Sequence, residues 1–277
     1  MFSPSAERTL LARCSVQAPF KVQRPFYPEG NVCHVVTLHT AGGIVGGDRL
    51  SSTIHLQPNT HALLTTATAG KIYRSAGLES QLSTRIHVAA GACLEWLPQE
   101  TIVFNGAISR QHNRIDLAEG ALWIGWEITR FGRTARGERF ASGEWRSRTE
   151  VWQEGRPLWV DPQWLQGGSA MLDSLHGLAG CPVVGSFSVV GQDLSPGLID
   201  VARQFWQGRA STETLLPGST IPQPVPLAQV GVTRLRQGML CRYRGHSTLE
   251  ARRWFAEVWH QVRQELLMRP ACHPRVW

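Results

Sequence analysis

Leu117 to Glu127 reads LAEGALWIGWE, and the same form stands twice before it, as LQPNTHALLTT from Leu56 and VAAGACLEWLP from Val88. Each copy has an apolar residue, two further positions, an Asn or Gly, and within three residues an Ala leading into an apolar run. The starts lie 32 and 29 residues apart, long enough for a unit of a few strands. Stacked units of that kind make a β-solenoid or a layered sheet. Similar hairpins in a sandwich would leave the same trace, so both arrangements stay open on this pattern alone.

Around these copies, from Thr9 to about Gly168, runs such as CHVVTLH, STRIHV, ALWIGWEI and RSRTEVW are separated by Gly, Pro and Asn turns, which reads as strands. The last third differs. A helix is expected from Pro196, with Leu198, Val201, Ala202, Phe205 and Trp206 at helical spacing. For a second, Ser247 is placed to cap and Glu250 to complete a capping box. Leu249, Trp254, Phe255, Val258, Trp259, Val262 and Leu266 form its apolar face. Between them lies the Pro-broken connection LPGSTIPQPVPLAQ, then GVTRLRQGMLCRYRG, which alternates as a strand pair does. The expected fold is mainly β: a stacked-strand body, solenoid-like or layered, with two α-helices in the C-terminal third, as one domain over residues 1–277.

Thr40 to Leu50, TAGGIVGGDRL, invites a nucleotide-loop reading. A dinucleotide turn needs G-x-G-x-x-G ahead of a helix. Here the order is G-G-x-x-G-G and a strand-like run follows. The only Gly-Lys pair, Gly70-Lys71, lacks the Ser or Thr of a phosphate loop. The glycines read instead as a bend that lets backbones approach closely.

The net charge of +7 comes from 28 basic residues, all arginine except Lys21 and Lys71, spread along the chain with no nucleic-acid reader motif. Arginine favours bidentate pairing with carboxylates, so an acidic protein partner is the better match and nucleic acid is not expected. Six cysteines occur without C-x-x-C, signal peptide or long apolar span, which reads as reduced thiols in a cytoplasmic protein away from membranes.

Glu95, Glu100 and Glu127 sit in or beside apolar runs, where burial raises a carboxylate pKa unless a partner compensates. Salt-bridged structure is one reading; acid and base work in a β-rich enzyme, with Glu95 and Glu127 as the pair, is another. Cys33-His34 and Cys272-His273 offer sulfur and imidazole that suit nickel, zinc or copper. Neighbours on a strand point to opposite faces, so neither pair is expected to hold an ion tightly by itself.

Five blocks in order, GGIVGGDRL, LLTTATAGKIYRS, LEWLPQETIVFNGA, WEITRFGRTARGERFASG and the final PRVW, resemble the UreD (UreH) family of urease accessory proteins. That resemblance implies a non-catalytic scaffold. It would bind apo-urease together with UreF and the GTPase UreG, and help nickel reach the urease active site. No cofactor would be tightly bound, with nickel only in transit. It also implies a β-rich fold with two helices. A polar path with weak oxygen or nitrogen ligands would suit such transit. The matching blocks supply Asp48, Lys71, Tyr73, Arg74, Glu95, Glu100, Glu127 and Glu138 as candidates to line it. Arg252, Arg253, Trp259 and Arg263 of the second helix are candidate partner contacts, being residue types that dominate interfaces.

Overall fold

The computed structural model describes residues 1–207 and 228–277, and in it the three repeated segments are the corners of a solenoid. The chain enters through β1 (Phe2–Pro4), β2 (Thr9–Leu11), β3 (Phe20–Val22) and β4 (Cys33–His39). The first coil is β5 (Arg49–Leu56), β6 (His61–Thr66) and β7 (Gly70–Ile72), and the second is β8 (Ser80–Val88), β9 (Cys93–Trp96) and β10 (Thr101–Val103). The third is β11 (Ile108–Leu117) and β12 (Leu122–Phe131), whose two ends pair with β9 and β10 in turn. Successive coils pair in parallel, β5–β8–β11 in one sheet and β4–β6–β9–β12 in the other. Sandwich hairpins pair antiparallel. The parallel register decides for stacked coils.

The corners explain the repeat's Asn or Gly. Asn59, Gly91 and Gly120 have φ of 58°, 67° and 72°, a left-handed conformation that these residue types adopt most readily. Ala92 and Ala121 close their turns with N–H bonds to Ala89 and Ala118 at 3.0 and 3.1 Å.

Parallel register also stacks equivalent side chains. Since residues two apart share a face, Ile54, Ile86, Ile115 and Val151 form one apolar rung inside the first sheet. The next rung on that face is polar: Ser52, Thr84, Asn113, Thr149 and Asp161. Its last two members come from β13 (Glu144–Gln153) and β14 (Arg156–Gln166), which extend this sheet. β15 (Val183–Val190), β16 (Gln229–Leu235) and β17 (Gly238–Gly245) extend the other.

Helices α1 (Pro196–Gln207) and α2 (Thr248–Leu267) belong to the core cluster built on the second sheet, where Trp126 and Phe187 meet Phe255. Trp254, Phe255, Val258, Trp259 and Val262 are fully buried, each large apolar side chain contributing about 1.5–3 kcal/mol of burial. Leu249, expected on this face, is exposed. Ser247 caps α2 by accepting from Glu250 N–H at 3.2 Å. Glu250 does not return the bond; its carboxylate accepts from the Tyr243 hydroxyl, 2.6 Å away. The tail after α2 folds back so that Trp277 packs on Trp126 and Trp259, with ring centroids 4.8 and 5.6 Å apart.

Arginines scattered in sequence gather on the solvent face of the first sheet, where Arg85, Arg110, Arg114, Arg146 and Arg148 pair with Glu79, Asp116, Glu144 and Glu150. No helix among the described residues is long and apolar enough to cross a membrane. The Pro-broken connection falls almost wholly on residues 208–227, outside the described residues.

Candidate functional site

Between the two sheets lies a cleft of about 550 Å³, entered near Cys14, Gly42 and Gly43. Leu64 and Trp96 line it from one hydrophobic cluster and Ile44, Leu50 and Leu82 from another. Polar groups interrupt these walls: Gln99, Thr101, Gln111 and Thr129 face it along with the Ser52–Thr84–Asn113 part of the polar rung. A small deeper cavity shares Thr84, Trp96, Asn113 and Glu127 with the cleft and continues the rung to Thr149 and Asp161.

Glu127 stands at the junction, reaching from β12 toward the rung. Four neutral donors hold it: Asn113 Nδ2 at 2.5 Å, Gln111 Nε2 at 3.1 Å, Thr149 Oγ1 at 3.2 Å and Ser147 Oγ at 3.3 Å. Its remaining accessible surface opens on the cleft. Enclosure by protein pushes its pKa up, and the nearby Asp161 charge adds to this, against the lowering effect of the donors. At the far end, Asp161 pairs with Arg242, whose other nitrogen donates to Ser186 Oγ at 2.6 Å. Arg242 is partly exposed, so this end lies near the surface.

Glu95 occupies a different world. It points out of the opposite face of the same sheet, beneath α2, with 0 % exposure. His61 Nε2 lies 2.5 Å away, Trp259 Nε1 donates at 2.5 Å, and Arg263 Nε is at 3.4 Å. Burial pushes its carboxyl up, but His61, Arg263 and Trp259 together hold it below the ordinary range. Since Glu95 and Glu127 project from opposite faces of one sheet, they cannot act as acid and base on one substrate.

The other sequence candidates separate by position. Lys71 lines the cleft. Asp48 does not: its Oδ2 accepts from Val45 N–H at 2.9 Å and closes the glycine bend. That bend requires its glycines, because a Cβ at Gly43 would stand 2.3 Å from the Tyr73 ring and one at Gly46 2.3 Å from Ser75 Oγ. Tyr73 donates to Gly42 O at 3.3 Å, and Arg74 lies exposed against Gly106. Glu100 pairs with Arg252, and Glu138 with Arg133 at 2.6 Å while accepting from Asn105 N–H. As partner contacts, Trp259 and Arg263 are corrected by burial: both are fully enclosed, Trp259 in the core and Arg263 by Glu29 and Glu95. Arg252 is mostly covered and Arg253 exposed. Reading by blocks missed Gln111, Asn113 and Asp161. The signal was present, since β11 is polar at both alternate positions over Ser109–Arg114 and so has a polar inner face.

The UreD urease accessory protein family matches residues 1–277. Among similar proteins, a urease accessory protein UreD of Nostoc punctiforme is 56 % identical over 262 residues, covering 94 % of this chain and 88 % of its own. One from Acaryochloris marina is 52 % identical over 276 residues, covering 100 % and 92 %. One from an Azoarcus species is 39 % identical over 278 residues, covering 100 % and 91 %.

Proposed function

The chain belongs to the UreD family of urease accessory proteins, and on that footing we propose that it is a non-catalytic scaffold that passes nickel along the solenoid axis toward apo-urease. The observation that carries this reading is the polar rung Ser52–Thr84–Asn113–Thr149–Asp161, which crosses five strands with Glu127 facing it. A core that needed only stability would fill this row with the branched apolar residues of the rung beside it. Hydroxyl, amide and carboxylate oxygens are weak ligands for Ni²⁺, so an ion can enter and leave. Burial favours the protonated form of Glu127, so nickel that displaces this proton meets a carboxylate midway along the rung.

In this reading UreF, the GTPase UreG and apo-urease are the partners, and of the four α2 candidates Arg253 is the exposed one. The missing phosphate loop fits a division of labour in which UreG handles GTP. The setting is the cytoplasm, where urease is matured.

Thr84→Phe tests the path, because Thr84 lines both cavities. Overpacking costs about 1–3 kcal/mol. The variant is expected to co-purify with UreF, UreG and apo-urease yet leave urease without nickel. Wild-type activation by Thr84→Phe would remove the axial path, and failure of the wild-type chain to co-purify would remove the scaffold role.

A further inference from the structure

The two Cys-His pairs that stand out in the sequence are each split by the fold. Cys33 turns into the core between the sheets, its Sγ 3.7 Å from the Tyr27 hydroxyl. His34 turns the other way, toward Glu29 and the tail that follows α2. There one member of each pair meets: atoms of Glu29, His34 and Cys272 lie within 4.8 Å of one another.

The three positions are fixed by the architecture. Glu29 sits in the turn before β4, ahead of the left-handed Gly30 (φ 79°). The tail leaves α2 through Met268 (φ 52°) and is tied back where Arg263 Nη1 donates to Pro270 O at 2.7 Å. Arg263 Nη2 holds Glu29 Oε2 at 2.6 Å, which leaves Oε1 against His34 Nε2 at 2.7 Å. His34 is fully buried, Glu29 is 11 % exposed and Cys272 is half-buried, so the cluster is enclosed but reachable through the sulfur.

We propose that Glu29 Oε1, His34 Nε2 and Cys272 Sγ form a binding site for one borderline transition-metal dication of the Zn²⁺ or Ni²⁺ kind. Oxygen, imidazole and thiolate together match that class and do not match Mg²⁺ or Ca²⁺. Around a tetrahedral ion the ligand atoms would stand roughly 3.3–3.6 Å apart, as bond lengths of about 2.0–2.3 Å require. The Glu29–His34 contact therefore opens by less than an ångström while Cys272 draws in. The thiol proton goes to solvent, and the proton that His34 Nε2 donates to Glu29 Oε1 leaves that nitrogen, so that the ring binds as its Nδ1–H tautomer. With three protein ligands the fourth position is open, so the ion can exchange. Arg263 is a positioning residue, holding the second Glu29 oxygen and the tail. This site lies on the other face of the sheet from the axial cavity and does not depend on the nickel-passage reading.

The test uses the full-length chain with Cys14→Ser as background, since Cys14 is the exposed thiol. Co²⁺ is titrated as the probe, followed by displacement with Zn²⁺ and, separately, Ni²⁺. The expected result is one equivalent of Co²⁺ with a near-ultraviolet thiolate-to-cobalt band. Both should be lost in Cys272→Ser, with affinity falling beyond the ~10–100-fold that outer-shell changes cost. Cys272 is half-buried, so an unchanged melting midpoint is expected to show that the variant folds. Displacement by Zn²⁺ but not Ni²⁺, or the reverse, names the metal within the proposed class. Bound Co²⁺ without a thiolate band, or no binding at all, overturns the site. So does a band that survives Cys272→Ser and disappears with Cys93→Ser, which would move it to the His61–Cys93–Glu95 cluster.

Discussion

Glu95 and Glu127 lie on the two faces of one sheet, both enclosed, and their environments drive them in opposite directions. Glu95 is surrounded by His61 and Arg263 plus the Trp259 N–H, and is held below the ordinary carboxylate range. Glu127 is surrounded by two amides and two hydroxyls, with Asp161 nearby, and is pushed above it. Cations fix a buried carboxylate as a charge and make it part of the frame. Neutral donors leave burial uncompensated, and the protonated form is favoured. On the α2 side of the sheet Glu95 is therefore tied into the frame, and on the cavity side Glu127 has no cationic partner among the described residues.

The largest expected effect comes from Arg263→Leu, which strands Glu29 and Glu95 without their shared cation. A loss of about 3–5 kcal/mol in urea unfolding is expected, as for breaking buried pairs. A loss under 1 kcal/mol would break the comparison, because Glu95 would then be no frame element. Glu95→Gln comes next, at about 1–3 kcal/mol, since shape is kept while charge-assisted bonds are lost.

The pH dependence sharpens the contrast. Glu127 binds its proton more tightly when folded, so its contribution is complete below the ordinary carboxylate range and is lost as pH rises through its raised value. Glu127→Gln should therefore gain stability relative to wild type from about pH 4 upward. Glu95 has the opposite sign, contributing above the ordinary range and losing that contribution as pH falls through its lowered value. The deficit of Glu95→Gln should shrink toward acid. Melting midpoints of both variants across pH read the two slopes, and parallel slopes would contradict the assignment. The smallest effect belongs to exposed Arg253→Glu, within about 0.5 kcal/mol of wild type, with any change confined to partner co-purification.

The corners of the solenoid were legible because Asn59, Gly91 and Gly120 answer a backbone requirement that only a few residue types meet. Choosing between coils and hairpins was not, since parallel and antiparallel partners demand the same alternation within each strand. The helices were legible from their period, but Leu249 was misplaced because a single apolar residue near a helix start carries little burial information. Glu127 was found as a carboxylate in an apolar run. Its companions were not, because rung membership is a property of register between strands: Ser52 and Asp161 belong to one rung across more than a hundred residues of chain. Asp48 closes the bend locally and lies off the cleft, a placement that a conspicuous residue beside glycines does not reveal by itself.

The central claim is that the Glu127 carboxyl exchanges its proton for nickel on the polar rung. Its most direct measurement is the nickel content of urease after activation by the assembled accessory complex at limiting nickel, with wild type against Glu127→Gln, whose amide oxygen can still accept from Asn113. The account predicts normal assembly with a markedly lower nickel content for the variant, recovering as nickel is raised. Equal nickel content at every nickel concentration, with the complex intact, would contradict it.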